Sequence, residues 1–147
     1  DLATMCDIRV ASSNAMFAES FVKLGIIPGD GGAWFLPRAV GHSNASLMAF
    51  TGDAVKAPQA LAMGLVSEVV EPEQLLPRVH AIAASIAANP PHAVRLTKQL
   101  LRASQKATLD ELLDKSAAFQ AVCHAEADHH EAVAAFFEKR PGNYRSE

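Results

Sequence analysis

Three carboxylates stand where acid–base chemistry could be done: Asp1, Glu19 and Asp30. Asp30 lies within Pro28-Gly29-Asp30-Gly31-Gly32, whose three glycines break regular structure and let a flat or charged substrate lie against backbone amides. Without a substrate, the same stretch is a surface turn with a helix-capping aspartate. Glu19 sits between Phe17 and Phe21. A carboxyl buried among such rings has a raised pKa, the state a general acid needs. Asp1 heads the helix-like stretch Asp1-Leu2-Ala3-Thr4-Met5-Cys6, where an acid is either an N-cap or first-turn charge or a reacting group.

Other chemistries are poorly supported. His129 and His130 lie beside Glu126, Asp128 and Glu131, but neighbouring helical residues point about 100° apart and cannot share one ion. A solvated helix start explains the cluster, and no metal site is expected. Cys6 and Cys123 sit at opposite ends as small core residues, consistent with a reducing, cytoplasmic compartment. No Gly-x-Ser-x-Gly, Walker-type or Gly-x-Gly-x-x-Gly pattern occurs, which removes the common hydrolase and nucleotide readings.

These residues must be positioned by a chain of 147 residues, half of them apolar, which suffices for a real core. A formal charge of −3 with no basic block argues against nucleic acid or a membrane surface as partner. No apolar run approaches the roughly 18 residues of a spanning helix.

The pattern is α/β. Short strands are expected at 8–11 and 15–18, and a helix from Gly32 to Gly41 with Pro37 as kink or stop. A short helix follows from His42 to Phe50, then one led by Pro58 and capped by Gly64, and a β-rich run over 65–70. Everything beyond is helical: 72–88, a helix started by Asn89-Pro90-Pro91, 108–124 and 128–139. The helix at 108–124 carries apolar residues over about half its circumference, so one side can face its own domain while the other wants a partner subunit or a ligand. The expected division is 1–90 for the α/β part and 91–147 for a helical region.

Cys6-Asp7-Ile8-Arg9-Val10-Ala11, Phe17-Ala18-Glu19, Leu24-Gly25-Ile26-Ile27-Pro28-Gly29-Asp30-Gly31-Gly32 and Leu36-Pro37-Arg38-Ala39-Val40-Gly41 resemble, in order, the enoyl-CoA hydratase/isomerase (crotonase) family. Thr51-Gly52-Asp53, Ala60-Leu61-Ala62-Met63-Gly64-Leu65-Val66 and Phe136-Phe137-Glu138-Lys139-Arg140 continue the resemblance over essentially the whole chain. It implies a spiral of ββα units followed by a helical region that packs in trimers or dimers of trimers. It also implies that the chain is the C-terminal portion of the family's domain, with the oxyanion-hole amides and most CoA-binding strands outside it. The chain alone is then expected to be inactive.

In hydratases of this family two glutamates flank the substrate double bond. The first matches Asp1. The second falls four residues after Phe17 and four before Gly25, where this chain has Phe21. Asp30 and Glu19 are the acids that could take its place. The resemblance further points to Pro28, Gly29 and Phe21 as substrate-binding residues, and to Phe119 and Lys139 as contacts to the adenine and phosphates of CoA. It implies an acyl-CoA thioester as substrate, with coenzyme A part of that substrate and no separate cofactor. Hydration of a 2-enoyl-CoA is the leading expectation; double-bond isomerisation and a non-catalytic acyl-CoA-binding role are the alternatives.

Overall fold

The computed structural model describes residues 1–144. The chain packs as two units, Asp1–Val79 and the part from His80 onward, a division that falls inside a helix and ahead of the 90/91 boundary expected from the sequence.

The first unit opens with one 3-10 turn, Leu2–Met5, closed by the Thr4 N–H and hydroxyl, which both donate to the Asp1 carbonyl at 2.9 and 2.7 Å. Strands β1 (Val10–Ser12) and β2 (Met16–Phe17) are followed by a second 3-10 helix, Ser20–Leu24. Then come α1 (Gly32–Val40), α2 (His42–Thr51), β3 (Val55–Lys56), α3 (Ala57–Ala62) and β4 (Glu68–Val70). A short 3-10 turn, Pro72–Gln74, leads into α4 (Leu75–Ala87), which carries the chain into the second unit. β1 pairs in parallel with β4, in the register Val10↔Glu68 to Ser12↔Val70, and β2 pairs antiparallel with β3. The core of this unit gathers Ala11, Leu36, Val40, Ala45, Met48, Val55, Ala60, Leu65 and Val66.

Helix α1 buries Leu36 and Val40, one turn apart, and runs through Pro37 rather than stopping there. In so short a helix the proline removes a single backbone bond, which burial of the apolar face offsets. The β-rich run over 65–70 is a strand only from Glu68. Its first two residues close α3 instead: the Leu65 and Val66 N–H groups both donate to the Ala60 carbonyl, and both side chains enter the core. Pro58 opens α3 as expected.

The second unit holds α5 (Pro91–Ala103), α6 (Leu109–His124) and α7 (Ala127–Glu138), with α6 packed against both α5 and α7. A reciprocal cap sets the start of α6. The Thr108 N–H donates to the Glu111 carboxylate at 2.8 Å, while the Thr108 hydroxyl accepts from the Glu111 N–H. The wide apolar arc of α6 divides as its pattern requires: Leu112 and Phe119 are half-buried, whereas Leu109, Leu113 and Val122 face outward. On α7, Phe136 and Phe137 are each 78% exposed. No helix among the described residues is long and apolar enough to cross a membrane.

Candidate active site

The residues that could do chemistry gather at the start of α1. The chain leaves β2 at Phe17, passes Glu19, and turns through Ser20–Leu24, ended by Gly25 in the left-handed region (φ 70°). That turn is 3-10 helical, so Phe21 and Glu19 are not on one strand face. Both nevertheless reach the same place, the wall of a cavity of about 440 Å³. Phe21, Val22, Ile26, Ile27 and Pro28 form one side, Gly32, Ala33, Leu36 and Pro37 of α1 the floor, and His42, Ala45, Ser46, Ala49 and Phe50 of α2 the far side.

The Glu19 carboxyl is the acid in this otherwise mostly apolar wall. Its residue is 4% exposed, and Oε1 has no hydrogen-bond partner. Burial, the largest influence, raises its pKa above the ordinary glutamate value. The negative charge of Asp30 pushes the same way, and the positive α-amino group of Asp1 opposes both. A raised pKa moves this carboxyl toward the protonated form, the one that can deliver a proton.

Asp1 lies on the other side of the α1 start. Both of its carboxylate oxygens are buried without a partner. They rest where a Cβ on Gly32 would stand, so any side chain at position 32 would displace them. Gly32 forms part of the cavity wall, so the Asp1 carboxylate is packed against a residue of that wall, while Glu19 lines the cavity itself. The glycine-rich stretch thus does permit a close approach to its backbone, and the group that approaches is the chain's own Asp1. Asp1 occupies the N-cap position of the 3-10 turn that follows it, but its side chain makes no capping hydrogen bond.

Asp30 behaves differently from the capping residue its position suggested. The N-cap of α1 is Gly31, at φ 97°, and no side chain caps the helix. Asp30 is exposed and does not line the cavity; its influence there is electrostatic. Gly29 is likewise exposed and outside the wall, whereas Pro28 belongs to it.

Phe119 and Lys139 belong to the second unit. The Phe119 ring is half-buried, with the Lys115 ammonium 5.5 Å from its centroid. Lys139 is exposed at the end of α7, in left-handed backbone at φ 54°. The histidine-rich stretch pairs internally: His124 Nδ1 lies 3.1 Å from His129 Nε2, and His92 contacts Glu126. No group of three potential metal ligands occurs among the described residues.

Sequence reasoning missed the contribution of α2. Ala45 and Ala49, one turn apart, are small enough to leave room between α1 and α2, and His42, Ser46 and Phe50 complete that side. The spacing of those alanines was the available signal, but small residues at helical spacing are ordinary core composition.

The enoyl-CoA hydratase/isomerase family pattern matches residues 1–147. The chain is 41% identical over 146 residues to crotonyl-CoA hydratase of Syntrophomonas wolfei, covering 99% of this chain and 56% of that protein. It is 37% identical over 139 residues to 1,2-epoxyphenylacetyl-CoA isomerase of Escherichia coli, covering 95% and 53%. Among solved structures, enoyl-CoA hydratase from Bacillus anthracis superposes with a TM-score of 0.96 at 34% identity, covering 99% of this chain and 57% of that one. The chain therefore spans just over half the length of these relatives. The expected placement at the family's C-terminal portion is withdrawn, because a match running from residue 1 to residue 147 carries no such assignment. Ordered motifs, full-length match and a crotonase-like α/β fold agree, and the chain belongs to the enoyl-CoA hydratase/isomerase family.

Proposed function

We propose that the protein processes acyl-CoA thioesters, and that its reaction is the hydration of a 2-enoyl-CoA double bond through a thioester enolate. The observation that supports this reading is the pair of buried, partnerless carboxyl groups at the start of α1: Glu19 in the wall of the apolar cavity, and Asp1 packed against Gly32 of that wall. Asp1 serves as the base, taking a proton from water as the oxygen bonds to C3. Glu19, whose pKa burial raises, delivers a proton to C2, giving the 3-hydroxyacyl-CoA. Asp30, exposed nearby, acts through its charge by favouring the protonated form of Glu19. Enolate stabilisation requires two backbone N–H groups at the thioester oxygen, each worth roughly 3–4 kcal/mol in sites of this kind. None of the residues described above is assigned that role.

In this reading Phe21 and Pro28 line the acyl pocket, and Gly29 lets the thioester pass along the loop. Phe119 and Lys139 meet the adenine and phosphates of CoA. The outward apolar faces of α6 and α7 pack between subunits in a trimer or dimer of trimers. Coenzyme A enters as part of the substrate, and no separate cofactor takes part.

Double-bond isomerisation is the second reading. It is favoured by Phe21, an apolar residue in the wall where the family resemblance places a second glutamate. Moving a proton between two carbons needs only one good base. Crotonyl-CoA mixed with the protein distinguishes the two. Loss of the enoyl-thioester ultraviolet absorbance with incorporation of water is the hydration result. Unchanged absorbance with crotonyl-CoA bound refutes hydration, and a gain of absorbance from a 3-enoyl-CoA then identifies the isomerase.

A further inference from the structure

We infer that His124 and His129 form a binding site for one divalent cation of the kind that prefers imidazole ligands, zinc being the member their geometry fits. The inference concerns the second unit and stands independently of the acyl-CoA reading. His129 and His130, adjacent on α7, still point about 100° apart. The partner of His129 is instead His124, the last residue of α6. His124 Nδ1 lies 3.1 Å from His129 Nε2. Two nitrogens each held about 2.0–2.1 Å from one zinc ion stand about 3.3 Å apart at the tetrahedral angle and about 2.9 Å apart at a right angle. The observed spacing falls between these. The rings are nearly perpendicular (86°), with centroids 4.6 Å apart, closer than two imidazoles joined head-on through nitrogens at this spacing would be. The nitrogens are therefore not aimed straight at each other, and donors that share an ion must likewise meet at an angle.

The surroundings support this use of the pair. The other ring nitrogen of His124, Nε2, lies 3.2 Å from the Gln120 side-chain amide, one turn back on α6. With Nδ1 on a metal, Nε2 carries the ring proton, and Gln120 accepts it through Oε1 once its amide is turned over. Such an outer hydrogen bond fixes the tautomer and the ring orientation of a ligating histidine. The backbone sets the spacing. Between the helices the Ala125 N–H donates to the Val122 carbonyl and the Glu126 N–H to that of Cys123, and the His129 N–H donates to the Glu126 carbonyl. Glu126, Asp128 and Glu131 place negative charge within the same few residues, which favours a cation. His124 is exposed and His129 half-buried, so an ion reaches them from solvent. No group of three potential ligands occurs among the described residues, so water completes the coordination. The ion clasps the end of α6 to the start of α7.

The test is titration calorimetry of Zn²⁺ into the protein, prepared without a histidine tag in a buffer that does not bind metal. Saturable binding of a single equivalent is expected. His124→Ala and His129→Ala should each weaken it by on the order of tenfold or more, because the second imidazole binds an ion already held by the first. His130→Ala should stay within about threefold of the parent, since its ring lies outside the pair. Circular dichroism without metal checks that each variant folds, and both positions are open enough to solvent to tolerate alanine. Nitrogen NMR of the zinc-bound protein should show His124 ligating through Nδ1 and His129 through Nε2. Absence of saturable binding overturns the inference, and so does ligation through the opposite nitrogens. Binding that survives removal of both histidines, or that falls as far in His130→Ala as in either of them, overturns it too, marking an ion held loosely among surface side chains.

Discussion

Replacing Glu19 by Gln separates the catalytic and the structural consequences of burying that carboxyl. The two side chains have nearly the same shape, so the 4% exposed site keeps its packing. The folded-state pKa of Glu19 is raised, chiefly by burial, so the folded protein holds this proton more tightly than the unfolded chain does. Below the ordinary glutamate value both states are protonated and the contribution of Glu19 is fully present. As pH rises, the unfolded chain ionises first and the contribution is lost progressively until pH passes the raised folded value. For one proton the slope is at most about 1.4 kcal/mol per pH unit. Glu19→Gln carries no such loss, so its stability relative to the parent should be flat well below the ordinary glutamate value and grow more favourable as pH rises through that value toward the raised folded one. Turnover should fall by about 10²- to 10⁴-fold, the usual contribution of a general acid. Urea denaturation at pH 4, 5.5 and 7, with turnover assayed on the same preparations, gives both readings. A stability difference that is flat with pH would refute the buried-acid argument, and turnover within threefold of the parent would remove Glu19 from the reaction.

Gly32→Ala keeps a backbone that alanine readily adopts, yet its Cβ would collide with the Asp1 carboxylate, which must retreat by more than an ångström. Turnover is expected to drop about 10²-fold for such a displacement, and a crystal structure with Asp1 unmoved would contradict it. Thr108→Ala removes one half of the α6 capping box and should cost about 1 kcal/mol in chemical denaturation; no loss would show that the cap adds nothing. Glu131 is held at a pKa of about 2, first by side-chain hydrogen bonds from Arg140 and then by the Asn143 N–H. Its stabilising contribution is present above the ordinary glutamate value and lost as pH falls toward about 2. In Arg140→Met the carboxyl should titrate nearer the ordinary value, as followed by carbon NMR, and an unchanged titration would mean that Asn143 alone holds it.

Much of the architecture was legible because helices declare themselves locally. The Thr108–Glu111 box, Pro58 at a first turn and the Asn89-Pro90-Pro91 break each act within a few residues, and the structure places helix starts at or beside them. The strands were less legible. Glu68–Val70 is a strand because β1 lies beside it, while Leu65 and Val66, equally β-prone, close α3 and fill the core. Burial against distant partners overrides propensity at such positions.

The candidate site divides in the same way. Residue types and spacing by themselves marked Asp1, Glu19 and Asp30 as the acids to consider; it was the family resemblance that implied a carboxylate where Phe21 stands. Which acids are buried, and which of them lines the cavity, was decided only by tertiary structure. Glu19 became buried because the turn after β2 folds it against α1 and α2, and Asp1 because Gly32 has no side chain to exclude it. Asp30, two residues from Gly32 in sequence, stays in solvent. Charge and hydrogen-bonding capacity are properties of a residue and can be read from a sequence. Desolvation is a property of everything packed around the residue, and it is desolvation that raises the pKa of Glu19 in the wall.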